Sequence, residues 1–151
     1  MKLILIGILV LIVIVMIGGK VMGISPIALN VHKQVFQEKN FAISGYDPVE
    51  YHRSMSALKG KEAYSFDWQD ATWLFSTQEN LESFKNNPQE YAPQVGGYCT
   101  FAVSKGFTAP GNGEFWHIDN NNLYLFSNEA VKKDALENFD KIKTSAKKKW
   151  D

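Results

Sequence analysis

Ala63-Tyr64-Ser65-Phe66-Asp67-Trp68 alternates apolar and polar side chains, and Ala71-Thr72-Trp73-Leu74-Phe75 continues the run after Gln69-Asp70. A period of two, rich in aromatic residues, is the pattern of a strand half buried in a sheet. Two such runs across a two-residue break read as a β-hairpin. With Gln69 and Asp70 as the turn, Phe66 faces Trp73 and Tyr64 faces Phe75. Four rings then cover one sheet face, which fits a packed core better than a ligand platform, because cross-strand aromatic pairs are ordinary stabilisers of half-buried sheets.

Outward from this hairpin the pattern changes to helical. Thr77 is placed to cap residues 78–85, whose Leu81 and Phe84 share one side; Pro88 stops that helix, and residues 88–91 have room for one more turn. Upstream, Asp47-Pro48-Val49-Glu50 reads as a helix start. Asp47 accepts from free backbone N–H groups, Pro48 suits the first helical position and Glu50 reaches back. Gly96-Gly97 allows backbone angles that other residues resist, just before Tyr98-Cys99-Thr100-Phe101, whose own state the pattern leaves open between helix and strand. Residues 104–114 form an irregular loop. A second hairpin then joins 115–118 to 123–126 through Asp119-Asn120-Asn121-Asn122, setting His117 opposite Tyr124. After Ser127 and Asn128, either able to cap, Val131, Ala135, Phe139, Ile142, Ala146 and Trp150 recur at steps of three or four, the stripe of one long amphipathic helix. The expectation is an α+β domain of two hairpins and three or four helices.

The N-terminus differs in composition. Residues 3–17 are aliphatic except for Gly7, and with Gly18 and Gly19 the uncharged run reaches 17 residues. At ~1.5 Å per residue this spans about 25 Å, against a hydrocarbon core of about 30 Å. Snorkelling by Lys20 or local thinning closes that gap. Residues 1–22 therefore read as a transmembrane anchor, with a cleaved signal sequence as the competing reading. Residues 23–40, with Pro26 and no clear period, read as a linker to a domain over 41–151. Lys2 and the free amine favour the N-terminus inside, which puts the domain on the periplasmic or outer side of the cytoplasmic membrane.

Charge limits the partners. The 151 residues hold 16 Lys+Arg and 16 Asp+Glu; without Lys2 and Lys20 the remainder is at −2, so no basic field draws nucleic acid. Lys141, Lys143, Lys147, Lys148 and Lys149 mark either a solvated helix face or a contact with anionic lipid.

Several segments together resemble the YHS-domain family of bacterial proteins: Ser44-Gly45-Tyr46-Asp47-Pro48-Val49-Glu50-Tyr51, Leu74-Phe75-Ser76, Asn87-Pro88-Gln89-Glu90-Tyr91-Ala92-Pro93, Gly96-Gly97-Tyr98-Cys99 and Leu123-Tyr124-Leu125. The likeness runs from about Phe41 to Trp150 and is to the branch with G-Y-D-P-V-x-Y and G-G-Y-C. It implies a small α+β module. In metal-binding relatives, thiolates for a transition metal stand where this chain has Glu50, Ser76 and Asn80. A site selecting zinc or copper(I) needs several soft ligands, so those replacements remove the inherited cage.

The remaining chemistry rests on few groups. Cys99 is the one thiol, and His32, His52 and His117 are the imidazoles. One reading joins Cys99 and His117, with Glu50 or His52, into a site for a transition metal or haem; the other leaves Cys99 as a small buried apolar residue and His117 as a hydrogen-bonded member of a sheet face. His52 fits an exposed position near a helix C-terminus, and His32 falls in the linker with no role. Tyr46, Asp47, Tyr98 and Cys99 are the candidate ligand-binding residues, with aromatic neighbours suited to a small-molecule pocket. No G-x-G-x-x-G, G-K-[ST] or H-E-x-x-H is present. The leading expectation is a membrane-tethered, non-catalytic binding module for a small ligand or metal. The alternatives are an enzyme using Cys99 as a thiolate and a structural protein-interaction domain.

Overall fold

A computed structural model describes residues 17, 18 and 24–151. The expected anchor, residues 1–22, falls outside the described residues apart from Ile17 and Gly18. Among the described residues no helix is long and apolar enough to cross a membrane. The rest is α+β. In chain order it comprises β1 (Ser25–Pro26), β2 (Gln37–Glu38), β3 (Phe41–Ala42), α1 (Pro48–Arg53), β4 (Lys61–Trp68), β5 (Ala71–Phe75), α2 (Gln78–Asn86), α3 (Pro88–Tyr91), α4 (Thr100–Ser104), β6 (Phe107–Thr108), β7 (Asn112–Asp119), β8 (Asn122–Phe126), α5 (Glu129–Leu136) and α6 (Phe139–Trp150).

Both hairpins form. Gln69 and Asp70 take left-handed angles (φ 52° and 56°), as do Asn120 and Asn121 (φ 48° and 61°), the geometry that matches the twist of paired strands. Phe66 pairs with Trp73 and His117 with Tyr124, as expected. Tyr64 does not face Phe75. The register shifts between Lys61 and Ser65, so Lys61 opposes Phe75 and Ser65 opposes Leu74. Such an irregularity bends the strand, and here the bent end meets the 43–45 turn, where Gly60 N–H donates to the Gly45 carbonyl (2.9 Å).

β5 is interior in a four-stranded sheet of order β2-β3-β5-β4, with β3 and β5 parallel. α2 is capped by Thr77, whose hydroxyl accepts from Asn80 N–H (3.2 Å). It lays Leu81 and Phe84 on this sheet, and the Phe84 ring centre lies 5.0 Å from Trp73 and 5.2 Å from Phe75. Full burial of a side chain this size stabilises by about 1.5–3 kcal/mol.

Three further expectations are corrected. Residues 23–40 are not a plain linker: β1 pairs with β6, β2 pairs with β3, and Val35 is buried. Two-residue strands are too short to leave a period in the sequence. The C-terminal helix is also not continuous. α5 ends at Leu136 and α6 begins at Phe139, with Asn138 outside helical angles (φ −137°, ψ 44°). The apolar spacing carries across the break because Ala135, Phe139 and Ile142 belong to one cluster, so the stripe records a shared core and not an unbroken axis. With that break and the single-turn helices α3 and α4, the described residues hold six α-helices, more than the three or four expected.

Candidate functional site

The Gly45-Tyr46-Asp47-Pro48 segment is the hinge of the site. Tyr46 and Asp47 are both extended, so their side chains leave on opposite sides of the chain. Asp47 turns inward and is fully buried. Its Oδ1 accepts from Val49 N–H (2.9 Å), capping α1. Its Oδ2 accepts from Ser76 N–H (2.7 Å), the Ser76 hydroxyl (2.8 Å) and Asn80 Nδ2 (2.7 Å). Glu50 does not close a capping box; its Oε1 instead accepts from Asn80 (2.7 Å) and Ser76 (3.1 Å), and its Oε2 from Ser54. The Ser54 hydrogen bond, with those from Asn80 and Ser76, holds the Glu50 carboxyl below its ordinary pKa against the opposing effect of burial. Arg53 completes the knot by donating to Asn80 Oδ1 (2.9 Å) and Glu79 (2.8 Å).

Glu50, Ser76 and Asn80, the positions at which the resemblance would set thiolates, thus do come together. They do not fit a metal. The Asn80 amide nitrogen sits among Asp47, Glu50 and Ser76 and donates its two N–H groups to the Asp47 and Glu50 carboxylates (2.7 Å each), so the space is filled by an N–H group and the oxygens are satisfied. Among the described residues no three His, Cys, Asp or Glu side chains are grouped to hold an ion. The expected set of Cys99 and His117 with Glu50 or His52 is therefore not assembled.

Tyr46 turns the other way, into an open cleft of about 520 Å³. Its hydroxyl donates to Glu114 (3.2 Å), and the Lys59 ammonium lies 3.7 Å from its ring centre while donating to the Ser44 carbonyl (2.6 Å). Burial, then the Glu114 carboxylate, pushes the Tyr46 pKa up, so the hydroxyl keeps its proton. Partial burial pulls the Lys59 pKa down. Glu38 completes the charged lining.

The facing wall, Ala109 to Asn112, is held from behind by the second glycine motif. Tyr98 bridges Pro110, and Cys99 N–H donates to the Ala109 carbonyl (2.9 Å). The two motif turns also touch each other: a Cβ at Gly97 (φ 77°) would lie 2.6 Å from Ile43 Cγ2. Each turn holds a β-branched residue in the left-handed region, Ile43 (φ 43°) and Val95 (φ 49°). Such residues rarely accept these angles, and strain of this kind gathers at functional sites. Close approach continues at Gly113, where any Cβ would overlap the Tyr46 ring and meet the Tyr51 hydroxyl. Tyr51, fully buried, donates to the Gly113 carbonyl (2.7 Å), and burial drives its pKa far up.

The sequence-predicted residues therefore divide. Tyr46 lines the cleft; Asp47 anchors the segment beneath it; Tyr98 and Cys99 support the far wall from the interior. Tyr98 donates its hydroxyl to the Lys33 carbonyl (3.1 Å), and Cys99, 2 % exposed, packs with Tyr124 and Phe126. His117 belongs to the other side of that cluster, edge-on to Phe139 at 5.0 Å, where burial lowers its pKa. His52 meets Asn121 (3.4 Å) and the Tyr91 ring. His32, assigned nothing from sequence, packs tilted on Trp150 (5.1 Å) and edge-on to Tyr98 (6.1 Å). Glu38, Lys59, Glu114 and Asn112 were not legible as site residues. Each is a polar residue in a different segment, and only the tertiary fold gathers them.

No family model, curated protein or solved structure matches the chain.

Proposed function

We propose that this chain is a membrane-tethered, YHS-like binding module, without catalytic chemistry, that takes a small polar ligand in the Tyr46 cleft. The supporting observation is that both glycine motifs meet there: Ser44 and Tyr46 form one wall, and Tyr98 and Cys99 hold the other in place. Ligand sites combine an apolar wall with a few placed polar groups. The cleft offers Phe36 and Pro110 beside Tyr46, Lys59, Glu38 and Glu114.

The charges favour one class of ligand. Lys59 is already engaged by the Ser44 carbonyl and the Tyr46 ring, which leaves two carboxylates facing the cleft. A small molecule bearing an amine or several hydroxyl donors suits that lining; an anion does not. The thiol-enzyme reading has less support, since a reactive cysteine needs access and a thiolate-stabilising setting, while Cys99 is buried among Tyr124, Phe126 and Ala135.

The test is a thermal-shift and calorimetric screen of the full chain against small amines, polyols and carboxylates. Binding of an amine or polyol that weakens in Glu114→Gln and Tyr46→Phe, and is unchanged in Cys99→Ala, supports the cleft. Binding indifferent to both cleft substitutions would reject it.

A further inference from the structure

Four exposed apolar residues lie in the N-terminal segment and on the strand that pairs with it; Met55 and Leu58, in the connection between α1 and β4, are the other exposed ones of the domain. Ile24, Leu29 and Val31 stand in the N-terminal segment, at 39, 50 and 70 % exposure, and Phe107, at 46 %, lies on the strand that pairs with it. Pro26 is opposite Phe107, and Ile27 N–H donates to the Gly106 carbonyl (3.0 Å), so the segment that carries Leu29 and Val31 starts out beside Phe107, while Ile24 borders the Tyr46 cleft.

Lysines rim the same surface. Lys105 immediately precedes Gly106, and the last turn of α6 reaches it: Lys149 Cδ is 3.9 Å from where a Cβ on Gly106 would sit, with Ser145 donating to the Ser104 carbonyl (2.9 Å) nearby. Lys147 and Lys148 turn away, along a groove with Gln94, Val95 and Tyr124, so Lys105 and Lys149 form the rim, and among the described residues neither makes an ion pair. Lysines in a last turn complement the helix dipole. That accounts for part of the α6 cluster but not for Lys105, nor for exposed rings and aliphatic side chains beside it.

The sequence supplies the occupant. The uninterrupted apolar run ends at Ile17, seven residues before Ile24. Seven residues reach at most about 25 Å. If the run enters a bilayer, the Ile24 end cannot leave its neighbourhood. An apolar patch with a basic rim is the pattern that inserts shallowly among acyl chains while its lysines meet anionic headgroups.

We propose that the end of the domain bearing Leu29, Val31, Phe107, Lys105 and Lys149 lies on the surface of an anionic bilayer, the one that residues 3–17 enter. This rests on the tether reading above. It fixes the orientation of the domain, leaving the tether no longer a free leash.

The experiment follows amide hydrogen exchange of the full chain in nanodiscs of neutral phosphatidylcholine or of the same lipid with anionic phosphatidylglycerol. Slower exchange over residues 24–31 and 105–108 is expected in the anionic discs, reversed by high salt. A variant with Lys105 and Lys149 both changed to Gln should lose that protection, with the surface-association constant falling about fivefold for each lysine removed. Lys132→Gln with Lys133→Gln should keep it. Equal exchange in both lipids overturns the proposal while leaving the tether intact. Protection that grows with copies per disc, regardless of lipid charge, overturns it in favour of a second copy of the chain. A chain that never enters the discs removes both readings.

Discussion

Tyr46 and Asp47 are neighbours in the chain with opposite surroundings. Asp47 sits in a knot where four donors satisfy one buried carboxylate. One residue earlier, Tyr46 shares an open cleft with two carboxylates that have capacity to spare. A polar group with every partner supplied by the fold holds the fold together; a polar group with partners missing is available to something else. The knot is thus read as structure and the cleft as function, and substitutions on the two sides should behave differently.

The largest effect belongs to the knot. Asp47→Ala leaves Val49 N–H, Ser76 N–H, the Ser76 hydroxyl and the Asn80 amide without their acceptor. The expected loss is about 3–5 kcal/mol, seen as a lower denaturant midpoint. A loss under about 1 kcal/mol would mean that water replaces the carboxylate and that the knot is not structural. Gly113→Ala is next, because the added methyl meets the Tyr46 ring and the Tyr51 hydroxyl. Overpacking of this kind costs roughly 1–3 kcal/mol. It should also abolish ligand binding by displacing Tyr46, whereas Asp47→Ala at a temperature where the protein remains folded should retain some.

How much of this could be read in advance depended on sequence distance. The caps at Asp47, Thr77 and Asn128 were legible because each acts on N–H groups two or three residues away. The Phe66–Trp73 pair was legible because the turn sets it, and the Tyr64–Phe75 pair was not because a register shift intervenes. The Asn138 break was hidden by an apolar spacing that both helices share. The knot joins its three segments across 26 to 33 positions and the cleft joins Tyr46 to Glu114 across 68. No local pattern encodes such pairings, so the motifs marked Tyr46, Asp47, Tyr98 and Cys99 and left Glu38, Lys59, Asn112 and Glu114 unmarked.

Smaller effects separate the two sides more finely. Tyr46→Phe removes one hydrogen bond, to Glu114, and should reduce stability by only about 0.5–1.5 kcal/mol while weakening ligand binding more than its stability cost. A calorimetric titration beside a melting curve checks this; equal losses would make Tyr46 a packing residue. Glu50, on the knot side, should show itself through acid. Its folded pKa is lowered chiefly by the Ser54 hydroxyl, so its stabilising contribution is present above the ordinary value of 4.5 and is lost as pH falls through the folded value. Glu50→Gln should flatten that limb of the stability profile.

His117 provides the mildest test and a separate pH window. Burial, the largest influence, lowers its pKa below the ordinary 6.5; Asp119 pulls it back up while Lys132 and Lys143 add to the lowering. The folded state therefore holds fewer protons than the unfolded chain just below pH 6.5, and stability must rise with pH across that interval. Below the folded pKa both states are protonated and the loss is complete. His117→Phe keeps an aromatic ring against Phe139 and removes the titration, so the slope between the folded pKa and 6.5 should vanish while the acid limb from Glu50 stays. A slope that survives the substitution would assign it to another group and place His117 outside the proton balance of folding. Ligand binding should be unchanged in either case, because the imidazole packs on Phe139 and is not among the groups lining the Tyr46 cleft.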